Sequence, residues 1–343
     1  MKPPPASETR MFAEAAEAYA AVEGLQRSAA VARIGAAVRA LAPRTVITCA
    51  RGSSDHATTF AKYLIETRTG IPTASAAPSI ASVYETRALA DGCLCLAISQ
   101  SGRSPDLLAT VEALKVGGAR VLALVNDASS PLAQLADEML PLNAGAETSV
   151  AATKSYIASL FAVAAVVAEW TEDEAMRSEM RGAPDLLREA WQADWSAVAE
   201  QLVDASSMYV VGRGLGLGIA QEAALKLKET SQIHAEALSG AELHHGPMAL
   251  VKPGFPILVF TQADETSAGT DKLCRELAGR GAKVLVAGRE IAGTTRLPMP
   301  DAPALLQPML QIQSFYRAAN ALALARGLDP DRPPHLAKVT ETM

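Results

Sequence analysis

Three ionisable residues share one helical face in the segment EAALKLKE. Glu222, Lys226 and Glu229 stand at positions i, i+4 and i+7, and this spacing places their side chains along one side of an α-helix. A carboxylate held near a lysine can carry a proton between two adjacent carbon atoms. A solvated helix surface with an ordinary ion pair would show the same spacing, so the pattern alone leaves both interpretations open.

Histidine is concentrated a few residues further along the chain. The segment 234–248 reads HAEALSGAELHHGPM and holds three of the chain's five histidines, His234, His244 and His245. Histidine titrates near neutral pH, which is the range needed to open a sugar ring. Metal binding by these histidines is not expected, because neither an HExxH motif nor a pair of cysteines accompanies them.

Glycine occupies every second position from Gly212 to Gly218, which looks like a dinucleotide-binding fingerprint. A GxGxxG motif that starts at Gly212 would need glycine at Leu217, and one that starts at Gly214 would need it at Ile219. Nicotinamide binding is therefore not expected, and the sequence predicts no cofactor.

A third group of residues is rich in hydroxyls. The segment Ser99-Gln100-Ser101-Gly102-Arg103-Ser104-Pro105 follows an apolar run, and Ser104 before Pro105 is typical of an N-cap with proline at the first helical position. Hydroxyls beside a helix N-terminus form an anion site, most naturally for a phosphate. The alternative is an ordinary serine-rich capping turn.

The elements that must position these groups occur twice. The sequence around Arg51-Gly52 resembles that around Arg213-Gly214, and Ser99-Gln100 corresponds to Thr261-Gln262, in both cases at an offset of 162 residues. Two copies of this length indicate a duplicated domain rather than a short-repeat solenoid.

The two copies differ where chemistry is expected. The second copy has two carboxylates in its loop 261–266, and these would repel a phosphate, whereas the loop of the first copy has small neutral residues there. Conversely, Leu64 and Thr67 of the first copy stand at the positions of Lys226 and Glu229. The sequence therefore predicts one phosphate per chain, bound by the first copy, and proton transfer in the second.

Each copy contains three continuous apolar runs separated by helical segments. Runs of this kind predict parallel strands covered on both faces, and right-handed crossovers then give an α/β fold of two tandem three-layer αβα sandwiches with doubly wound parallel sheets. The predicted boundaries are N-terminal helices over 1–42 that pack on the first copy, a first domain over 43–171, a helical linker over 172–200, a second domain over 201–328 and a tail over 329–343.

The composition excludes several classes of protein. The 343 residues are 49% hydrophobic and 20% charged, with a net charge of −6 and only 4% aromatic residues, so nucleic acid is not an expected partner. The four cysteines lie within apolar runs and are expected in the core. The N-terminus lacks a signal-peptide apolar region, and the longest apolar run, Ile157–Ala168, is too short to span a bilayer. A cytoplasmic protein without membrane contact is expected.

Four motifs together resemble the sugar isomerase (SIS) domain family: AISQSGRS, EAALKLKE, HAEALSGAELHHGP and the terminal HLAKVTE. They closely resemble the isomerase part of glucosamine-6-phosphate synthase, and they run from about residue 45 to the end of the chain. The resemblance implies aldose–ketose isomerase chemistry on a hexose or hexosamine 6-phosphate.

The resemblance also implies a role for each candidate residue. Glu229 would move the proton between C1 and C2 with Lys226 and Glu222 beside it, His245 would open the ring from the neighbouring subunit of a homodimer, and Lys338 would form a Schiff base with the open-chain ketose. The implied substrate-binding positions are Ser53 and Ser54 near the sugar, Ser99, Gln100, Ser101 and Ser104 at the phosphate, and Ala152 in the segment VAATK.

The chain departs from the synthase pattern at three positions. Arg51 and Ala152 stand where the synthase has a cysteine and a serine, and Lys2 stands where its glutaminase domain has a cysteine. A chain without that domain is expected not to draw ammonia from glutamine, and low free ammonia would then favour hydrolysis of fructosimine 6-phosphate. The resemblance thus implies an SIS-type glucosamine-6-phosphate deaminase that forms fructose 6-phosphate and ammonia.

Several other functions fit the same motifs. Among enzymes they are an isomerase subunit fed ammonia by a separate glutaminase, a deglycase for amino-acid adducts of sugar phosphates, and a galactosamine-6-phosphate deaminase. From another class, SIS folds also serve as non-catalytic sugar-phosphate sensors. The joint presence of Glu229, Lys226, His245 and Lys338 favours an enzyme.

Overall fold

The computed structural model describes residues 6–336 and Lys338. Its α-helices, in chain order, are α1 (Arg10–Ala16), α2 (Ala18–Gln26), α3 (Ala29–Leu41), α4 (Gly52–Thr69), α5 (Ser79–Ser82), α6 (Pro105–Val116), α7 (Pro131–Leu135), α8 (Lys154–Thr171), α9 (Glu174–Met180), α10 (Ala183–Gln192), α11 (Ser196–Leu202), α12 (Gly216–Ser231), α13 (Ser267–Gly279) and α14 (Gln307–Ala325). Its strands are β1 (Thr45–Cys49), β2 (Thr73–Ser75), β3 (Cys93–Ser99), β4 (Arg120–Val125), β5 (Glu138–Pro141), β6 (Ser207–Gly212), β7 (His234–Ser239), β8 (Pro256–Phe260), β9 (Lys283–Ala287) and β10 (Thr295–Leu297).

The chain forms two compact units. The first-sheet unit comprises Ala20–Glu147, Ser155–Arg181 and, beyond these, Lys338. The second-sheet unit comprises residues 6–19, Thr148–Lys154 and Gly182–Leu336.

Each unit is built on a five-stranded parallel sheet flanked by helices. The strand order is β2-β1-β3-β4-β5 in the first sheet and β7-β6-β8-β9-β10 in the second, so the two sheets have the same topology. In this order the chain leaves β1 and β3, or β6 and β8, towards opposite faces, and ligands bind in the crevice at the carboxyl ends of such strand pairs. The predicted α/β fold with two doubly wound parallel sheets is confirmed.

The central strands form because they are continuous apolar runs. In β3 and β4 all residues except the first are buried, and β8 and β9 show the same pattern. Residues Ile157–Ala168 lie within α8 and are buried, as their uninterrupted apolar character predicts. Within the described chain, no helix is both long enough and apolar enough to cross a membrane.

The outer strands are absent from the sequence prediction, which gives three strands per copy. β2, β5 and β10 have three or four residues, and β7 has the polar sequence HAEALS. Strands this short or polar lack the apolar run that identifies the central strands in the sequence. They form because they pair with a neighbouring strand of the sheet.

The N-terminal helices do not all pack where the sequence predicts. α1 belongs to the second-sheet unit, where the Thr9 hydroxyl donates to Asn320 Oδ1 at 2.7 Å and the Phe12 ring meets Trp191 edge-on with centroids 4.8 Å apart. The prediction that α1 packs on the first copy is therefore wrong. α3 lies in the first-sheet unit.

The four cysteines are core residues, and none of them forms a disulfide. Cys49, Cys95 and Cys274 are buried, and Cys93 is half-buried. Burial raises the pKa of the Cys49 and Cys274 thiols to about 12, so both remain protonated at neutral pH.

Candidate active site

The hydroxyl-rich loop lies at the carboxyl end of β3, beside the crevice between β1 and β3. Ser99 ends the strand, and its Oγ accepts a hydrogen bond of 2.9 Å from the Gly102 backbone N–H, which closes a tight turn. Gly102 has φ +65°, and a Cβ there would lie 2.3 Å from Ser130 Oγ, so only glycine fits. This turn holds Gln100 and Ser101 at the mouth of the crevice.

The loop continues directly into the N-terminus of α6. Ser104 is the N-cap residue and Pro105 the first helical residue, as predicted, but the Ser104 side chain makes no capping hydrogen bond. Its hydroxyl and the positive end of the helix dipole therefore meet at the same loop. A phosphate at this position would contact the Ser104 hydroxyl and the positive end of the helix dipole.

An ion pair between a buried carboxylate and a half-exposed guanidinium crosses the same crevice. Asp106, in the first turn of α6, is buried, and its Oδ2 accepts from Arg51 Nε at 2.7 Å and lies 2.5 Å from Arg51 Nη2. Arg51 follows β1 and is the residue that replaces the cysteine of the synthase pattern. An unpaired carboxylate here would repel a phosphate, and the guanidinium neutralises it. Asp106 was not among the residues singled out from the sequence, because its partner lies 55 positions away.

The remaining predicted residues of the first-sheet unit lie on α4 and in the C-terminal segment. Ser53 and Ser54 are half-buried in the first turn of α4, at the carboxyl end of β1. Lys338 Nζ lies 3.6 Å from Oε2 of Glu147, a buried carboxylate that the sequence interpretation did not include. The sequence around Glu147 gives no sign of this contact, because its partner Lys338 lies near the other end of the chain.

The three-residue face of α12 is buried in the second-sheet unit. Lys226 Nζ donates to Glu229 Oε2 at 2.6 Å and lies 3.5 Å from Glu222 Oε1, which also accepts from the Tyr316 hydroxyl at 3.1 Å. The side chains of Glu222 and Lys226 are 0% and 1% exposed, and that of Glu229 is 19% exposed. The interpretation as a solvated helix surface is therefore wrong.

Glu229 is the member of this face that reaches open space. Together with Lys228, Gln232 and His234 it lines a cavity of about 680 Å³. The opposite wall is formed by the start of the C-terminal segment, Pro334, His335 and Leu336. A cavity of this size accommodates a small ligand such as a sugar phosphate.

The position of Glu229 in the sheet differs from that of the phosphate loop. α12 begins immediately after β6 and ends just before β7, so its last turn lies at the amino end of the second sheet. Glu229 is in that turn, whereas Ser99 and Ser104 lie at the carboxyl end of the first sheet. Helix spacing alone did not indicate which edge of the sheet would carry the acid–base group.

Glutamine side chains of α14 fill the equivalent loop of the second sheet. The Gln307 side chain accepts from the Ala263 N–H at 2.8 Å, and Gln311 accepts from Gln262 Nε2 at 3.1 Å and donates to the Thr261 carbonyl at 2.6 Å. Asp264 accepts from both the N–H and the hydroxyl of Thr266. These hydrogen bonds occupy the donors of the loop 261–266 that a bound phosphate would need.

His245 and Ala152 complete the predicted set. His245 ends a 3₁₀-helix, Glu242–His245, and is exposed, while the adjacent His244 lies 3.7 Å from Glu276. Ala152 is half-buried in the segment Thr148–Lys154. Both belong to the second-sheet unit with Glu229, whereas the predicted serines, Gln100 and Lys338 belong to the first-sheet unit.

A family model described as the SIS domain matches residues 42–169 and 201–287. The chain therefore belongs to the SIS domain family. It is 37% identical over 307 residues to the isomerizing glutamine–fructose-6-phosphate aminotransferase of Aeropyrum pernix, covering 84% of this chain and 49% of that protein. With the corresponding Symbiobacterium thermophilum protein it shares 34% identity over 338 residues, covering 93% and 54%. The chain thus spans about half the length of the curated relatives it matches.

Solved structures share the architecture. A Silicibacter pomeroyi protein provisionally assigned as a phosphosugar isomerase is 41% identical with a TM-score of 0.90, covering 94% of this chain and 100% of that one. The C-terminal domain of the Francisella tularensis glucosamine-fructose-6-phosphate aminotransferase is 27% identical with a TM-score of 0.86, covering 95% and 98%. The Thermotoga maritima glucosamine-6-phosphate deaminase, at 22% identity and a TM-score of 0.79 over 97% and 100% of the two chains, supports the fold alone.

Proposed function

We propose that this protein is an enzyme that converts glucosamine 6-phosphate to fructose 6-phosphate and ammonia. The observation that carries the proposal is the buried Lys226, which holds Glu229 at 2.6 Å on the wall of a cavity of about 680 Å³. A partly exposed carboxylate fixed by a buried ammonium is suited to proton transfer at carbon. The relatives named as aminotransferases of fructose 6-phosphate support a sugar phosphate as the substrate class.

The proposed isomerisation moves one proton from C2 to C1, and the amine nitrogen gives up a second proton as the C1 oxygen gains one. His245 assists opening of the sugar ring, and Glu229 then removes the proton from C2 of the open-chain aldehyde and returns it to C1. The product is fructosimine 6-phosphate, with the double bond at C2–N. Lys226 orients the Glu229 carboxylate, and Glu222 with Tyr316 holds Lys226 in place.

The proposed deamination follows at C2. The Lys338 amine replaces the imine nitrogen, which leaves as ammonia, and water then releases fructose 6-phosphate from the resulting Schiff base. Throughout, the phosphate is bound by Ser99, Gln100, Ser101 and Ser104 with the N-terminus of α6. Ser53, Ser54 and the segment around Ala152 are proposed to contact the sugar.

The decisive experiment measures ammonia from purified protein on a panel of hexosamine 6-phosphates without glutamine. We expect saturable release from glucosamine 6-phosphate with equimolar fructose 6-phosphate. Release only from galactosamine 6-phosphate or a fructosyl-lysine phosphate would keep the chemistry and replace the substrate. Binding without turnover from pH 6 to pH 9 would instead assign the protein to the sugar-phosphate sensors.

The names of the relatives favour a second candidate, an isomerase subunit supplied with ammonia by another protein. The same preparation distinguishes it through the reverse reaction. Formation of glucosamine 6-phosphate from fructose 6-phosphate and ammonium, with a negligible rate of ammonia release, would support this candidate over the deaminase.

Replacement of Ser101 or Ser104 by alanine is expected to weaken binding of hexose 6-phosphates roughly tenfold to hundredfold each. Each hydroxyl would lose a hydrogen bond to a charged group, worth about 1.5–3 kcal/mol. The measurement is calorimetric titration with fructose 6-phosphate. Thr266→Ala in the second-sheet unit is the matched control, since Thr266 already bonds to Asp264, and an equal loss there would indicate two phosphate sites per chain.

Mixtures of inactive variants test whether His245 acts across a homodimer. Its exposure on a 3₁₀-helix supports donation to another subunit. Glu229→Gln and His245→Ala proteins, each inactive alone, are expected to regain about a quarter of the wild-type rate after subunit exchange, because half of the dimers then contain one intact site. No recovery, with exchange verified by native mass spectrometry, would place His245 in the same subunit as Glu229.

A further inference from the structure

Glu147 is a buried carboxylate that the mechanism above does not use. It lies between β5 and α8, its side chain is 0% exposed, and Oε2 accepts from the Ser155 hydroxyl at 2.6 Å while Oε1 accepts from the Ser155 N–H at 3.2 Å. Lys338 Nζ lies 3.6 Å from the same Oε2. A buried carboxylate is costly unless it is paired and hydrogen-bonded, and these contacts supply both.

We propose that Glu147 is the proton relay for Lys338. The proposal rests on the proposed function, in which the Lys338 amine must attack C2. The Lys338 side chain is 25% exposed and that of Glu147 is 0% exposed, so a substrate can reach the amine while the buried carboxylate lies 3.6 Å from Nζ.

Two proton transfers through Glu147 account for the protons when the Lys338 amine replaces the substrate nitrogen at C2. Glu147 accepts a proton from the Lys338 ammonium, the Nζ–C2 bond forms, and Glu147 passes that proton to the substrate nitrogen. A second proton follows the same route, the C2–N bond to the substrate nitrogen breaks, and ammonia leaves. The carboxylate ends as it began, and one water then hydrolyses the protonated Schiff base to the ketone and the Lys338 ammonium.

Ser155 gives the carboxylate its orientation. It donates both its hydroxyl and its backbone N–H to the two oxygens of Glu147, and it lies in the first turn of α8. The oxygen facing Lys338 is therefore fixed by groups of a rigid helix. Ser155 is a positioning residue in this proposal, since it acts through Glu147.

The test is trapping of Lys338 by fructose 6-phosphate and borohydride, which requires no ammonia release. In Glu147→Gln we expect the labelling rate to fall about 10²–10⁴-fold, the usual effect of removing a positioned proton-transfer group. Solvent-deuterium exchange at C1 of fructose 6-phosphate, the step assigned to Glu229, should not change. In Glu147→Ala, added formate should restore part of the labelling, which a purely structural role would not produce.

Two further variants keep the proposal falsifiable. Ser155→Ala retains the carboxylate and loses its orienting hydroxyl, so a smaller loss of labelling is expected even if Glu147→Gln does not fold. Glu138→Gln, which removes the exposed ion pair with Arg33 in the same unit, is the control and should label normally. Wild-type labelling in a folded Glu147→Gln protein would overturn the relay. Labelling without ammonia release by the wild type would refute only the proposed function.

Discussion

Glu229→Gln is expected to lower turnover by about 10²–10⁴-fold while substrate affinity changes only a few-fold. Glutamine keeps the shape of the side chain and can still contact Lys226, but it cannot accept a proton at neutral pH. The loss should therefore fall on the chemical step. Turnover and KM are measured by ammonia release, and the shuttle itself by incorporation of solvent deuterium at C1 or C2.

The control for this variant is Glu236→Gln, which removes an exposed carboxylate of β7 and should retain full activity. Deuterium exchange should disappear in Glu229→Gln only. Normal exchange in that variant would assign the shuttle to Glu222, although Glu222 is fully buried against Lys226 and Tyr316.

Deletion of residues 334–343 is expected to abolish ammonia release with a modest loss of Tm, because the buried Glu147 keeps its hydrogen bonds from Ser155 but loses its ionic partner Lys338. Terminal segments are usually dispensable for stability, and the contacts that tie the preceding stretch down lie before the deletion. Asp331, which accepts from the backbone N–H groups of Arg10 and Met11 at 2.7 and 2.8 Å, is retained. What is lost is one wall of the Glu229 cavity and Lys338.

Lys338→Met separates the chemical from the structural part of this effect. It keeps the chain length and removes only the amine, so ammonia release and borohydride labelling should both be lost while the protein remains folded. Phosphate binding, measured with fructose 6-phosphate, should persist in both variants. A truncated protein that releases ammonia at the full rate would show that the segment has no part in catalysis.

Much of the architecture follows from local sequence. The central strands β3, β4, β8 and β9 are apolar throughout, and only strands covered on both faces have that composition. The duplication, the loop after β3 and its junction with α6 also follow, because an N-cap serine before proline specifies the start of a helix. The short polar strands were not predicted, and β7 in particular begins with His234, one of the histidines that suggested chemistry rather than a strand.

The sequence by itself determined the fold class, the two copies and the residue types that chemistry would need. Only the tertiary structure decided which of these residues contact one another. Lys226 is buried because Tyr316 and α14 cover it, Arg51 neutralises Asp106 across the β1–β3 crevice, and Glu147 pairs with Lys338. The second loop is closed by Gln307 and Gln311 of α14. Periodicity reports which residues share a face of one element, whereas burial and ionic pairing depend on what another, distant element places against that face.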